Sequence, residues 1–162
     1  MSDLINKMPV PFEPKRKNRF LLRFPSELGI QEYTLVSASR PSITIADIEI
    51  PFLNTSTYVA GRFNWETIEF TLRDGIGPST SQTIMEWVRL CAESVTGRMG
   101  YAAGYKKQVE LIMLDPTGVG VEKWVLQGAW ISSANFGDLA MDDDAIAEVQ
   151  CTLRFDRAIL IY

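Results

Sequence analysis

Residues 108–156 read QVELIMLDPTGVGVEKWVLQGAWISSANFGDLAMDDDAIAEVQCTLRFD. Two extended runs, QVELIML and VEKWVLQGAWI, flank the turn tetrad DPTG and predict a long antiparallel hairpin. After a glycine turn and three consecutive aspartates, EVQCTLRFD alternates strictly. Val149, Cys151, Leu153 and Phe155 share one face, so a half-buried strand is expected, and AEVQCTLRFDRAILIY closes the chain as that strand.

Upstream of this stretch the same period of two recurs. In NRFLLRFP, Phe20, Leu22 and Phe24 share a face and Pro25 stops the run. EYTLVSASRP (residues 32–41) reads as a second strand. TIADIEIPFL (residues 44–53) reads as a third, placed near a sheet edge by Pro51. RFNWETIEFTLRD (residues 62–74) carries large apolar residues on both faces, as a strand covered on both sides would. One helix interrupts the series. Ser79 and Gln82 form a capping-box pattern, Ile84, Val88, Cys91 and Val95 follow at helical spacing, and Gly97 is a suitable stop. GRMGYAAGYK is a glycine-rich connector. No βαβ rhythm and no internal repeat is present. The expected fold is mainly β, an antiparallel β-sandwich or barrel with one flanking α-helix.

The chain of 162 residues suits one domain, residues 18–162, preceded by an arm, residues 1–17, where Pro9, Pro11 and Pro14 break regular structure. Twenty acidic residues against 16 basic ones give a net charge of -4, a poor balance for tight nucleic-acid binding. There is no histidine, which removes the commonest general base and the commonest zinc ligand. With two cysteines, no continuous apolar leader and no apolar run of membrane length, a soluble protein of a reducing compartment with two free thiols is expected.

Several clusters invite a chemical reading. Asp142, Asp143 and Asp144 with Glu148 resemble a cation or hydrolase site, but consecutive aspartates on an extended segment point to opposite faces and do not converge. A solvated turn is the simpler reading. Gly75-Ile76-Gly77-Pro78 precedes a helix but lacks the Gly-Lys-Ser/Thr ending of a phosphate loop. Cys91 and Cys151 fall on apolar faces, and Trp65, Trp87, Trp124 and Trp130 are spread along the chain as packing residues would be. No catalytic residue, metal ligand, cofactor site or specific nucleic-acid contact is expected.

Taken in order, LQGAW, NFGDL, the aspartate turn and EVQCTLRFD resemble the tail tube proteins of contractile-tailed bacteriophages. The matching positions are Gly128, Trp130, Asn135, Gly137, Asp138, Asp142, Thr152, Leu153 and Asp156. NRFLLRFP, PFLNTSTYVAGRFNWETIEFTLRD and the helix IMEWVRLC also look like the family. Ile131 stands where the family often has proline.

The resemblance implies hexameric rings, sheets joined between subunits into one continuous inner barrel, and rings stacked into a virion tail tube. It implies tail sheath, baseplate and tail terminator proteins as partners, assembly in a host bacterial cytoplasm, and DNA passing through the lumen without specific binding. No membrane is involved and no reaction is catalysed. By the same likeness the arm, the loop of residues 43–61 and the aspartate turn make contacts between subunits or rings. The residues concerned are Lys15, Arg16, Lys17, Asn54, Tyr58, Asp142, Asp143 and Asp144. The helix over residues 81–96 faces the sheath, and an acidic lumen repels DNA. Three other readings stay open. They are the tube of a type VI secretion or phage-like injection system, a monomeric ligand-binding β-barrel, and a metal-assisted hydrolase on the aspartates.

Overall fold

A computed structural model describes residue 7 and residues 11–162. Most of the expected arm, residues 1–6 and 8–10, lies outside the described residues. In chain order the elements are β1 (Phe20–Arg23), short 3-10 turns at Ser26–Leu28 and Glu32–Thr34, β2 (Leu35–Ala38), β3 (Ile43–Phe52), β4 (Thr55–Trp65), β5 (Ile68–Arg73), α1 (Thr80–Cys91), α2 (Ala102–Tyr105), β6 (Lys107–Leu114), β7 (Gly120–Asn135), β8 (Glu148–Arg154) and β9 (Arg157–Leu160).

All pairings are antiparallel, and seven strands form one continuous surface in the order β1-β6-β7-β8-β5-β2, with β9 also on β7. The hairpin expected from QVELIML and VEKWVLQGAWI is β6 and β7, with Lys107 opposite Ala129 and Leu114 opposite Gly120. Its turn is fixed by Asp115, whose carboxylate accepts the Thr117 and Val119 amides at 2.9 and 2.8 Å. β7 is the hinge of the architecture. Its first half pairs with β6 on one side and β9 on the other, and its second half pairs with β8.

The change of partner falls at Gly128, where φ is +68°. The Asp156 amide donates to the Gln127 carbonyl at 2.9 Å, and a Cβ at residue 128 would collide with the Asp156 carboxylate. The left-handed backbone and the missing side chain together let one strand turn from one sheet into the next. Between the sheets lie Leu22, Phe70, Leu72, Val109, Leu126, Val149 and Leu153, all almost wholly buried, with Ile84 and Trp87 of α1 packed on the same core. Phe24 stands between Phe70 and Trp87, its ring centroid 5.4 and 5.9 Å from theirs. The space between the sheets is therefore filled with side chains.

Four local expectations are corrected. RFNWETIEFTLRD is two strands of different sheets, β4 and β5. An unbroken strand would send Trp65 and Ile68 to opposite faces; the break after Trp65 turns both toward the core, Trp65 onto Trp124 and Phe155. The last strand is likewise divided at Asp156, where the chain passes from β8 to the other side of β7 as β9. Residues 32–41 hold only the short β2, because Glu32–Thr34 winds into a 3-10 turn, with Arg23 paired to Glu32 at 2.9 Å. The helix ends at Cys91, since Ala92 forms an extended bridge with Met99, and Gly97 serves the turn between them; Val95 is solvent-exposed. The helix start is as expected, with the Ser79 side chain accepting from the Gln82 amide.

Gly128→Ala is expected to destabilise the fold by about 1–2 kcal/mol from the left-handed backbone alone, before the contact with Asp156 is added. Thermal unfolding should show a fall of at least roughly 4 °C. Gly104→Ala, where nothing lies within 4 Å of the new methyl, is the control and should unfold as the parent does.

Candidate functional site

The β3–β4 ribbon forms a two-stranded sheet of its own. Alternating isoleucines and threonines favour extended chain here, and Leu53 (φ +52°) and Asn54 make the reversal. All ten residues of β3 are exposed, and so are all of β4 except Gly61 and Trp65. Ten residues of strand reach about 33 Å at about 3.3 Å each, so the ribbon projects well beyond the body.

Its register shifts once, between Ile45 and Asp47, where β4 carries one extra residue. The three-residue step from Ile45 to Ile48 carries the apolar side chains of β3 to its other face, and the bulge keeps β4 in step, so that Val59 still stands opposite Ile48. Near the body, Ile43 and Ile45 pair with Trp65 and Phe63 on the face that continues into the core. Toward the tip, Ile48, Ile50 and Phe52 lie on the opposite face beside Val59, and the core-side face carries Asp47, Glu49 and Tyr58 instead. Phe52, Tyr58 and Phe63 are 71%, 62% and 62% exposed. Nine large apolar side chains of the ribbon are exposed, and covering the wet half of each gains roughly 1 kcal/mol, on the order of 9 kcal/mol in all. That is comparable with the cost of ordering two proteins in one complex, about 4–15 kcal/mol. An apolar ribbon of this size fits a docking element and does not fit a solvated loop.

A second cluster gathers at the start of β7. Glu122 is buried, and its carboxylate accepts from Lys15 Nζ at 2.7 Å, Trp124 Nε1 at 3.1 Å and Arg40 Nη1 at 3.4 Å. Burial pushes its pKa up, but the hydrogen bonds from Lys15, Trp124 and Arg40 and the Lys15 charge outweigh burial and hold it below the ordinary carboxylate range. One side chain thus ties the arm, the segment entering β3 and β7 together. No local pattern marks Glu122 in the sequence. Its single signal is a carboxylate between Val121 and Trp124 on a strand with large residues on both faces.

The expected contact residues fall in three separate places. Lys15 is clamped to Glu122, while Arg16 and Lys17 beside it are exposed. Asn54 and Tyr58 are both on the ribbon, Tyr58 opposite Glu49. Asp142, Asp143 and Asp144 lie in the exposed loop between β7 and β8, at the other end of β7 from Glu122. There the Asp143 carboxylate accepts the Ala145 amide at 3.0 Å, within the turn itself. No group of three or more His, Cys, Asp or Glu side chains placed to hold a metal occurs among the described residues. Cys151 is buried and its thiol is pushed up to about 12 by burial, which suits packing and not nucleophilic chemistry.

The motif residues that carry the resemblance have structural work. Gly128 and Asp156 are the two sides of the β7 turn described above. Asn135 Oδ1 accepts the Gly137 amide at 2.9 Å, and Gly137 has φ +82° where it passes the Glu148 carbonyl. Trp130 stacks edge-on against Tyr105 at 5.9 Å.

No family model matches the sequence, and no curated protein matches it. The fold is shared with solved structures. The chain is similar to the tube-terminating cap of the anti-feeding prophage (TM-score 0.74, 19% identity, 96% of this chain and 97% of that one). It is similar to a chain of the sheath-tube complex of an extracellular contractile injection system, PVC, in the extended state (TM-score 0.73, 18% identity, 93% of each chain). More distantly it is similar to Hcp1 from Flavobacterium johnsoniae (TM-score 0.50, 7% identity, 88% and 94%). The chain has the mainly antiparallel β fold of these tube and tube-terminating proteins. No helix among the described residues is long and apolar enough to cross a membrane.

The sign of the Glu122 shift fixes a pH window. A carboxylate held below its unfolded value stabilises the clamp fully above about 4.3, and that contribution is lost as pH falls through the lower folded value. The Trp124 indole N–H resonance, followed by NMR from pH 7 downward, should stay constant through the ordinary carboxylate range and move only at more acid pH. In Glu122→Gln this acid step should be absent.

Proposed function

We propose that this protein is a subunit of the inner tube of a contractile tail or injection machine, working by assembly and catalysing no reaction. The observation that carries the reading is the β3–β4 ribbon. A long, exposed, apolar two-stranded sheet with unpaired outer edges requires neighbours, and joining ribbons side by side into a barrel removes those edges. The likeness to tube and tube-terminating chains supports the same role. On this reading subunits form rings, hexameric by analogy, whose ribbons make one continuous inner barrel. The rings stack into a conduit bounded by sheath, baseplate and terminator proteins, with α1 on the outer side. In a bacteriophage the cargo is DNA and the location is the virion. In a type VI or phage-like injection system the cargo is protein. A net charge of -4 accords with a channel that does not hold nucleic acid.

A second reading, the ring that ends such a tube, is favoured by the equal likeness to a terminating cap. Electron microscopy of the purified protein separates the two, with hollow rods marking a tube subunit and single rings a cap. A monomeric ligand-binding barrel is disfavoured because the interior is filled by Leu22, Phe70, Val109, Leu126 and Leu153.

The double variant Ile48→Asp, Ile50→Asp should remain folded, since both side chains are exposed, and sediment as a monomer. If it still forms rings or rods as the parent does, the ribbon is not the assembly element.

A further inference from the structure

The two charged clusters that flank β7 differ in sign and occupy opposite ends of the strand. β7 spans 16 residues, about 50 Å of extended chain if it were straight, and bends at Gly128 halfway along. At its start lies a basic end. Lys15, Arg16, Lys17, Arg19 and Arg40 gather there with the acids Glu13 and Glu122, and Glu32, further along the same groove, is paired with Arg23. Lys15 and Arg40 are held by Glu122 and Arg19 by Glu13, which leaves Arg16 and Lys17 with no ion pair among the described residues. Beside them a cleft opens between the edge strands β1 and β2. Its floor is Phe20, Ala38, Leu111 and Met113, and Lys17 and Arg40 form its rim.

At the far end of β7 the loop to β8 has the reverse character. Leu139 and Met141 are fully exposed on it, and each adjoins aspartates, Asp138 before Leu139 and Asp142, Asp143 and Asp144 after Met141. An apolar knob between carboxylates thus follows one end of β7, and an apolar socket between cations lies by the other.

We propose that these surfaces are partners: the loop between β7 and β8 of one copy seats in the β1/β2 cleft of the next copy, Met141 or Leu139 entering the cleft while the aspartates meet Arg16 and Lys17. The two patches are different parts of the surface, so the contact is head-to-tail, a geometry that propagates or closes into a ring and does not stop at a dimer. Opposite charges steer the approach, and like charges oppose joining two basic or two acidic ends, which sets the polarity of the assembly. The inference rests on the tube reading and names the surfaces by which copies recognise one another.

Charge reversal at each end tests it. One variant carries Asp142→Lys, Asp143→Lys and Asp144→Lys; the other carries Arg16→Glu and Lys17→Glu. All five side chains are exposed, and far-UV circular dichroism and thermal unfolding matching the parent establish that both fold. Each variant alone should lose sedimentable rings or rods by at least tenfold. An equimolar mixture should recover them, because each copy then offers a loop and a cleft of opposite sign to the other's. Parent-like assembly by either variant alone, or a mixture no better than its components, would overturn the contact while leaving the tube reading in place. Failure of the parent protein to form rings or rods would instead overturn the tube reading, and the contact with it.

Discussion

β7 joins the two halves of the body's sheet, and it can serve both because Gly128 takes a left-handed backbone under the Asp156 carboxylate. Before that residue the strand belongs with β6 and β9, and after it with β8. The crossing of the chain at Asp156, the inward position of Trp65 against Trp124 and Phe155, and the closure of the core by α1 all depend on that turn. A backbone conformation that most side chains refuse is held in place by a hydrogen bond from Asp156 to the strand it covers. Glycine and aspartate here act as one structural device, and their spacing in the chain is the spacing of β7 and β8 around the loop they share.

Below this framework the molecule divides into a part that satisfies itself and a part that does not. The body buries its large side chains almost completely and leaves no buried side-chain polar atom without a partner among the described residues. The ribbon does the opposite, holding isoleucines and aromatics in water along its length. The Glu122 clamp sits at the boundary. It anchors the arm and the entry to the ribbon on a strand that is itself well fixed, so both unsatisfied elements leave the body from one rigid point.

Much of this was legible in the chain. The β6–β7 hairpin, the buried face of Val149, Cys151, Leu153 and Phe155, and the Ser79 helix start follow from alternation and capping, which are local. The aspartates were readable as an exposed polar turn leading into the last strand. What was hidden depends on contacts distant in sequence. The break after Trp65 exists because two residues of opposite strand parity are both drawn to one core. The end of the helix at Cys91 reflects a bridge with Met99 that no helical period announces. Glu122 owes its role to Lys15 and Arg40, 107 and 82 residues away. Of the ribbon, residues 44–53 were readable as an extended piece near a sheet edge, but residues 43–61 as a whole were expected as a loop, because alternation alone does not say whether a face is covered by its own domain or by another molecule.

The offset in the ribbon carries a consequence for the timing of the proposed assembly. Its apolar residues lie on one face near the body and on the other face near the tip, so no single flat partner covers both. The first encounter between two free subunits therefore hides only part of the exposed surface while meeting the full entropic cost of joining them. A subunit arriving where two neighbours already stand covers both halves at once. If the protein assembles as proposed, growth at an existing end would outrun initiation, and a folded pool of subunits would persist until a template appears. The offset of the two apolar faces would then act as a kinetic gate on the start of polymerisation.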